Sequence, residues 1–314
     1  MAAKIPARFT NEQAARKHLE ALLWPQGPNC PHCGVVNEAT ALKGKSTRPG
    51  VYWCNACQKP FSVTVGTVME RSKIPLQTWL YANHLICSSK KGISSHQLAR
   101  MLGLSYKSAW FLAHRIREAM TPKTGSEPPL GGDGFIVEAD ETYVGKKDGK
   151  RKAPGAGGAG HKRTVLSLVE RGGKIRSFKL GSPSKHEIVA AIRANVDSAS
   201  TLHTDGAQAY KFTGAVAAHE SVDHKNEYVR TTEAGDKVHT NTLEGFFSVF
   251  KRGMVGTYQH CGEQHLQRYL NEFDFRANNR IALGCDDAVR ADRALQGVAG
   301  KRLTYRRTSS ASHA

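Results

Sequence analysis

The sequence predicts an α+β multidomain chain, and three observations carry that prediction. Two Cys-x-x-Cys pairs stand close together in the first sixty residues. Two short helical patterns meet at a glycine between residues 94 and 117. After a Pro- and Gly-rich segment, three strand-like runs are followed by a helix, a strand and another helix, which suits an α/β domain with a mixed sheet. The expected organisation is an N-terminal helix (1–27), a zinc ribbon (28–72), a helix-turn-helix region (73–121), a linker (122–133), an α/β domain (134–298) and a basic disordered tail (299–314).

The chain has 314 residues, 39% of them hydrophobic, enough to bury the cores of two or more domains. Its formal net charge of +18, denser in residues 1–133, favours a polyanionic partner. Nucleic acid leads. A membrane surface is disfavoured because there is no long apolar run or amphipathic anchor. Met1-Ala-Ala-Lys-Ile-Pro runs into a polar helix with no signal-peptide pattern, so the cytoplasm is the expected location. Of the seven cysteines, four are paired by spacing, and Cys87, Cys261 and Cys285 are scattered. That is not the disulfide framework of a secreted domain.

Thr10-Asn-Glu-Gln13 has the form of a capping box and opens a helix over 11–23, with Ala14, Leu19, Leu22 and Leu23 as its apolar stripe. Cys30-Pro-His-Cys33 and Cys54-Asn-Ala-Cys57 then place four thiolates on two tight turns, a tetrahedral zinc set with no open position. The zinc is therefore read as structural, Cys30, Cys33, Cys54 and Cys57 as its ligands, and His32 as a surface residue. A redox role for either pair would need a thioredoxin-like βαβ context, which is absent.

A helix starts at Pro75. A short helix after Ser94 ends at Gly103, and Ser105 caps a second one, with Leu98, Met101, Leu102 and Leu104 at the turn's core, continued by Trp110, Leu112 and Ile116. In a helix-turn-helix the second helix would turn Tyr106, Lys107 and Ser108 toward base edges, with His114, Arg115 and Arg117 nearer phosphate. An ordinary helical hairpin is the competing reading.

The second half opens on the strand Gly134-Phe-Ile-Val-Glu-Ala-Asp-Glu-Thr-Tyr-Val144. Alternation sends Ile136, Glu138, Asp140 and Thr142 to one face. A carboxylate in mid-strand is costly unless paired, so Asp140 needs a cation, a donor or a metal. A basic, Gly-rich loop follows, with Lys146, Lys147, Lys150, Arg151 and Lys152 ahead of Gly155–Gly160. Strands are expected over 164–170 and 175–180 around the Gly172-Gly173 turn, completing an antiparallel meander, then a helix over 185–196. A further strand ends at Asp205-Gly206, where the Asp sits on the sheet rim. In the helix of 238–252, Leu243, Phe246, Phe247 and Phe250 share one face, bordered by a polar stripe of Asn241, Glu244, Ser248 and Lys251.

Three strands, a helix, a strand and a helix is the element order of a ribonuclease-H-like domain. Asp140 and Asp205 brought together repel unless a cation bridges them, and oxygen ligands favour Mg2+ or Mn2+. Two such ions suit phosphoryl transfer on nucleic acid.

Glu138-Ala-Asp-Glu-Thr-Tyr-Val-Gly145, His203-Thr-Asp-Gly206 and His239-Thr-Asn-Thr-Leu-Glu-Gly-Phe-Phe-Ser-Val-Phe-Lys-Arg252, with the ribbon before them, resemble the transposases of bacterial insertion sequences of the fifteen-ninety-five type. The resemblance implies a DDE-type catalytic domain with Asp140 and Asp205 as its two aspartates. The third position is either Asn241, matching the Asn variant, or Glu244, seven residues before Lys251. It also implies two catalytic Mg2+ or Mn2+ ions, double-stranded DNA as partner, a homo-oligomer on that DNA, and action at the bacterial nucleoid. In the implied scheme Asp140 bridges both ions, Asp205 and Asn241 or Glu244 hold one each, and Lys251 contacts phosphate. The alternatives are a DNA-binding regulator with an inactive nuclease-like domain, and a structure-specific nuclease without strand transfer.

Overall fold

The computed structural model describes residues 5–304 except 124, 148, 150–160, 207–209, 211–213, 215, 224–225 and 234. Most of the expected basic loop, including Lys150, Arg151 and Lys152, and residues 305–314 of the expected tail lie outside the described residues. The chain forms two compact units. One takes residues up to 89, then 93–121 and those from 285 on; the other takes 90–92 and 122–284.

The first unit begins with α1 (Glu12–Leu23), capped by Asn11, whose side chain accepts from Ala14 N at 2.9 Å. The cap expected at Thr10 moves one residue on, because Thr10 closes a preceding turn over Ala7–Phe9, and Asn caps as well as Thr. The buried positions of α1 are Ala15 and Leu19. The ribbon is an antiparallel sheet of β1 (Ala39–Ala41), β2 (Tyr52–Cys54) and β3 (Pro60–Phe61), in that order. Its small core joins Cys30, Cys54 and Phe61 to Trp24 and Tyr52, with Trp24 edge-on to both other rings.

Three helices follow: α2 (Leu76–Ser88), α3 (Ser95–Leu102) and α4 (Tyr106–Met120). Ser105 caps α4 as expected, and Ser94 caps α3 in the same way. Between them Gly103 takes φ 63°, a left-handed turn that glycine enters without a Cβ penalty. Leu98, Leu112 and Ile116 are buried, but Met101 is 45% exposed and does not join the core of the turn.

The last helix, α8 (Asp287–Gln296), also belongs to this unit, although the sequence reading ran the second domain to residue 298. It buries Ala291, Ala294 and Leu295. It is tied down by Asn83 Nδ2 on Ala291 O (2.8 Å) and Arg290 NH1 on Cys87 O (3.0 Å). The start of the expected disordered tail is held as well: Gly300 N donates to Gly66 O (2.8 Å) and Lys301 Nζ to Ala119 O (2.9 Å). Backbone pairing and an amine on helix-terminal carbonyls explain why these basic residues do not behave as a free tail.

The second unit is a five-stranded mixed sheet in the order β6-β5-β4-β7-β8. The strands are β4 (Ile136–Val144), β5 (Arg163–Glu170), β6 (Ile175–Leu180), β7 (Thr201–Asp205) and β8 (Ala218–Val222). Strands β4, β5 and β6 form the expected meander, and β7 and β8 run parallel to β4. Helix α5 (Lys185–Asn195) supplies the crossover to β7. It packs Ile188 and Ile192 against Val137, Ala139, Leu166, Leu168 and Leu202. Two further core clusters join Val144, Val165, Val169 and Ile175 to α6 (Asn241–Gly253) and α7 (Leu266–Asn278). Strand β8 and the short pair β9 (Arg230–Thr231) and β10 (Lys237–Val238) carry no clear alternation and were not expected.

The expected linker is partly structural. Leu130 is 1% exposed in the α5-side core, and its backbone bridges Val196. Gly131 N donates to Glu170 Oε2 (2.9 Å); its φ is 87°, and a Cβ there would stand 2.2 Å from Ser200 Oγ. Apolar burial and close backbone approach thus pull the end of the segment into the unit.

Strand β6 is the meander's edge, and α7 covers it with side chains. Asn278 accepts from Ile175 N and donates to Ile175 O; Asp274 accepts from Ser177 N; Gln267 donates to Ser177 O and accepts from Lys179 N. These side chains stand in for a neighbouring strand.

Candidate active site

Strands β4 and β7 are parallel neighbours, with Glu138 opposite His203 and Ala139 opposite Thr204. One step further along each strand brings Asp140 beside Asp205. One oxygen each of Asp140, Asp205 and Glu141 lies within 4.8 Å of the others. Glu141 is the member that sequence reasoning missed, because alternation assigns it to the other face. The last residue of β4 paired with β7 is Ala139, and β7 ends one step later at Asp205, so no residue of β7 stands beside Glu141. Tyr210, fully buried, donates its hydroxyl to Glu141 Oε2 and fixes it.

The electrostatics follow. Burial pushes Asp140 up to about 7, and the charges of Asp205, Glu141 and Glu244 push the same way; the Glu141 N–H on Oδ1 (2.7 Å) opposes them. Burial also raises Glu141, against the Tyr210 hydroxyl, with Asp205 adding to the rise. Three oxygen donors whose charges repel, at an incompletely buried strand end, fit a hard divalent cation, which would relieve the repulsion.

Helix α6 is docked onto this strand by Glu138. The Thr240 side chain makes no capping bond; instead the fully buried Glu138 carboxylate accepts from Thr242 N (3.0 Å), Leu243 N (3.3 Å) and Thr242 Oγ1 (2.9 Å). A carboxylate at a helix N-terminus satisfies free N–H groups and complements the helix dipole. Leu243, Phe247 and Phe250 are buried as the wheel predicts, while Asn241, Glu244 and Lys251 are exposed on the polar stripe. Glu244 acts on Asp140 through its charge but is outside the 4.8 Å group.

Two residues upstream of the carboxylates lies a second polar layer centred on Arg171, which follows β5. Its Nε donates to Glu138 Oε1 (3.1 Å), and its NH2 lies 3.2 Å from His203 Nδ1 and 3.3 Å from His239 Nδ1. NH1 donates to Lys237 O (3.1 Å) and NH2 to His239 O (3.2 Å). Burial first, then Arg171 and His239, hold His203 down at about 4, so its ring is neutral at physiological pH. Nothing local in the sequence marks Arg171.

In the ribbon, Cys30 Sγ and Cys57 Sγ are 3.7 Å apart, Cys33 Sγ and Cys54 Sγ 3.6 Å, and all four sulfurs fall within 4.8 Å. Tetrahedral thiolates with Zn–S bonds of about 2.3 Å are separated by about 3.8 Å. The Cys57 N–H, 3.5 Å from Cys54 Sγ, helps hold that thiol down at about 7. The exposed His32 points Nε2 toward Pro60 O (3.3 Å). The arrangement is that of a structural zinc site.

On α4 the expected DNA contacts divide. Tyr106 is 46% exposed and stacks on His96 at 4.2 Å; Lys107 is exposed and Ser108 half-buried. Arg115 and Arg117 are 8% and 1% exposed, and His114 is buried too, so their expected placement near phosphate is corrected. Arg115 NH2 donates to Glu70 O (2.6 Å), and its guanidinium lies over Trp79 and Phe111. These side chains lie in the half of α4 that packs inward, where an Arg stem covers apolar surface.

Comparison with known proteins agrees with the two-part architecture. Residues 129–278 match the model of the ISXO2-like transposase domain, and residues 10–60 that of the transposase zinc-ribbon domain. The chain is 28% identical over 289 residues, 85% of its length and 91% of the relative's, to an uncharacterized protein in transposable element ISH50 of Halobacterium salinarum. No helix among the described residues is long and apolar enough to cross a membrane.

Proposed function

Because the chain belongs to the insertion-sequence transposases of the fifteen-ninety-five type, we propose that its α/β unit is a ribonuclease-H-like, DDE-type nuclease that cuts transposon ends and joins them to target DNA. The observation that carries this reading is the convergence of Asp140 and Glu141, in mid-β4, with Asp205, at the end of its parallel neighbour β7, within 4.8 Å. The sheet supports it: a central strand antiparallel on one side and parallel on the other, with helices on both faces. So does a net charge of +18.

Asp140 and Asp205 would hold Mg2+ or Mn2+, with Glu141 as a third oxygen on the strand side and Asn241 or Glu244 reaching in from α6. Bound there, the ions would activate the attacking water or 3′-hydroxyl and stabilise the oxygen leaving phosphorus. Glu138 fixes the start of α6, from which Asn241 and Glu244 would reach toward the carboxylates. Lys251 extends that stripe and would bind the phosphate backbone beside the cut. In the first unit the ribbon and α4 would grip the terminal repeats, with Tyr106, Lys107 and Ser108 toward base edges. Paired ends call for two active sites, so a homo-oligomer on DNA is part of this reading.

The test is Mg2+-dependent cleavage of a terminal-repeat duplex. Asp140→Asn and Asp205→Asn should each lower cutting by roughly 10⁴-fold while DNA binding survives. Full activity in both would refute the site. The third position falls to whichever of Asn241→Ala and Glu244→Ala costs more. Cutting without joining would favour a nuclease, and binding without either would favour a regulator.

A further inference from the structure

We infer that Arg171 is a positioning residue for the candidate active site, holding its three contributing segments in one arrangement; the inference rests on the reading above. One guanidinium meets β4 through Glu138, β7 through His203, and the connection into α6 through His239 and Lys237 O. Each partner side chain stands two residues before a candidate site residue: Glu138 before Asp140, His203 before Asp205, His239 before Asn241. A two-residue step in a strand returns to the same face, so Glu138 and His203 share a face with Asp140 and Asp205.

The couplings reinforce one another. Glu138 spends one oxygen on Arg171 and Thr242 Oγ1 and the other on the first N–H groups of α6. Moving Arg171 therefore shifts both the β4 side and the helix that carries Asn241 and Glu244. The fork geometry is essential: a guanidinium presents five donors in one plane, whereas an ammonium is a point charge unable to reach these groups together. Salt-bridging a buried glutamate would by itself be a structural role. The convergence on three segments is what a structural role leaves unexplained.

The experiment uses the zinc-loaded full chain and two variants, Arg171→Lys and Thr242→Val, the second removing a hydroxyl donor to Glu138. Mn2+ binding is followed by electron paramagnetic resonance, and cleavage of a terminal-repeat duplex is resolved into kcat and KM. The expected result is a folded protein whose Mn2+ affinity and kcat each fall about tenfold, the scale of losing a group that orients metal ligands, with KM for DNA unchanged. Wild-type Mn2+ affinity and kcat in the folded variants overturns the inference. So does loss of the folded state in both, which assigns the cluster to stability alone. Asp140→Asn run alongside separates the two levels. If it binds Mn2+ like wild type, the metal-site reading fails; if it alone loses Mn2+, only the role of Arg171 fails.

Discussion

In the ribbon, four sulfurs come from two turns, each closed within a Cys-x-x-Cys step, and together they leave no room for a fifth ligand. In the α/β unit, the carboxylates come from β4 and β7, strands joined through a meander and a crossover helix. They stay partly exposed, and burial first, then their mutual repulsion, raises Asp140. The first site spends its ligands on holding a fold together. The second accepts an electrostatic penalty to keep ligands available, which suits a centre where bonds change. Strained groups of this kind concentrate at working sites.

The sharpest way to break this contrast is to remove each metal. Stripping zinc, or Cys54→Ser, should cost the ribbon roughly 10 kcal/mol and unfold it, because too little else holds so small a core. Circular dichroism and Trp24 fluorescence would follow the loss. Mn2+ affinity of the carboxylate group should stay within about twofold. An intact ribbon after chelation would end the structural reading of its zinc.

A smaller effect sharpens the electrostatic side. Asp140 has a raised pKa when folded, about 7 against the usual 3.8, so the folded state holds its proton more tightly. Stability from this group is therefore fully present below about pH 4 and lost as pH rises toward 7. Without divalent ions, Asp140→Asn should be more stable than wild type at pH 8 by roughly 2–4 kcal/mol, with the gap closing near pH 4. Asp274, also raised to about 7 by burial, titrates in both proteins and cancels. Adding Mg2+ at pH 8 should narrow the gap by stabilising wild type. Melting curves that keep a constant gap at every pH would contradict the account of burial and repulsion.

The smallest effects concern α4. Lys107→Ala should weaken DNA binding and lower its salt slope by about one, without changing the melting temperature. Arg115→Ala should instead destabilise by about 1–3 kcal/mol through its bond to Glu70 O and its packing on Trp79. Salt titration of DNA affinity beside thermal melting separates the two; equal DNA effects with no loss of stability would return Arg115 to the interface.

What could be read in advance follows from the range of the interactions. The ribbon cysteines, the cap of α4, the meander and the buried face of α6 depend on spacings within one element or between neighbours in the chain, and all were legible. Asp140 and Asp205 were legible because a carboxylate in mid-strand and one at a strand end each demand a partner. Glu141 was not, because its place in the cluster depends on where β7 stops pairing. Arg171 and Tyr210 were not, because their partners are distant in sequence and no periodicity marks them. Arg115 and Arg117 misled because charge suggested surface, whereas their position on α4 puts them inside. Leu130 and α8 were misassigned for a similar reason: composition marks a boundary, but burial decides which core a segment joins.

The amide and carboxylate side chains of α7 along β6 have a consequence for assembly. With the outward N–H groups of Ile175, Ser177 and Lys179 already engaged, that border cannot template a strand from a second copy. Any copies that the proposed reaction brings together on paired ends would have to meet elsewhere, and shortening Gln267 or Asn278 to alanine would uncover the seam and invite strand-to-strand adhesion.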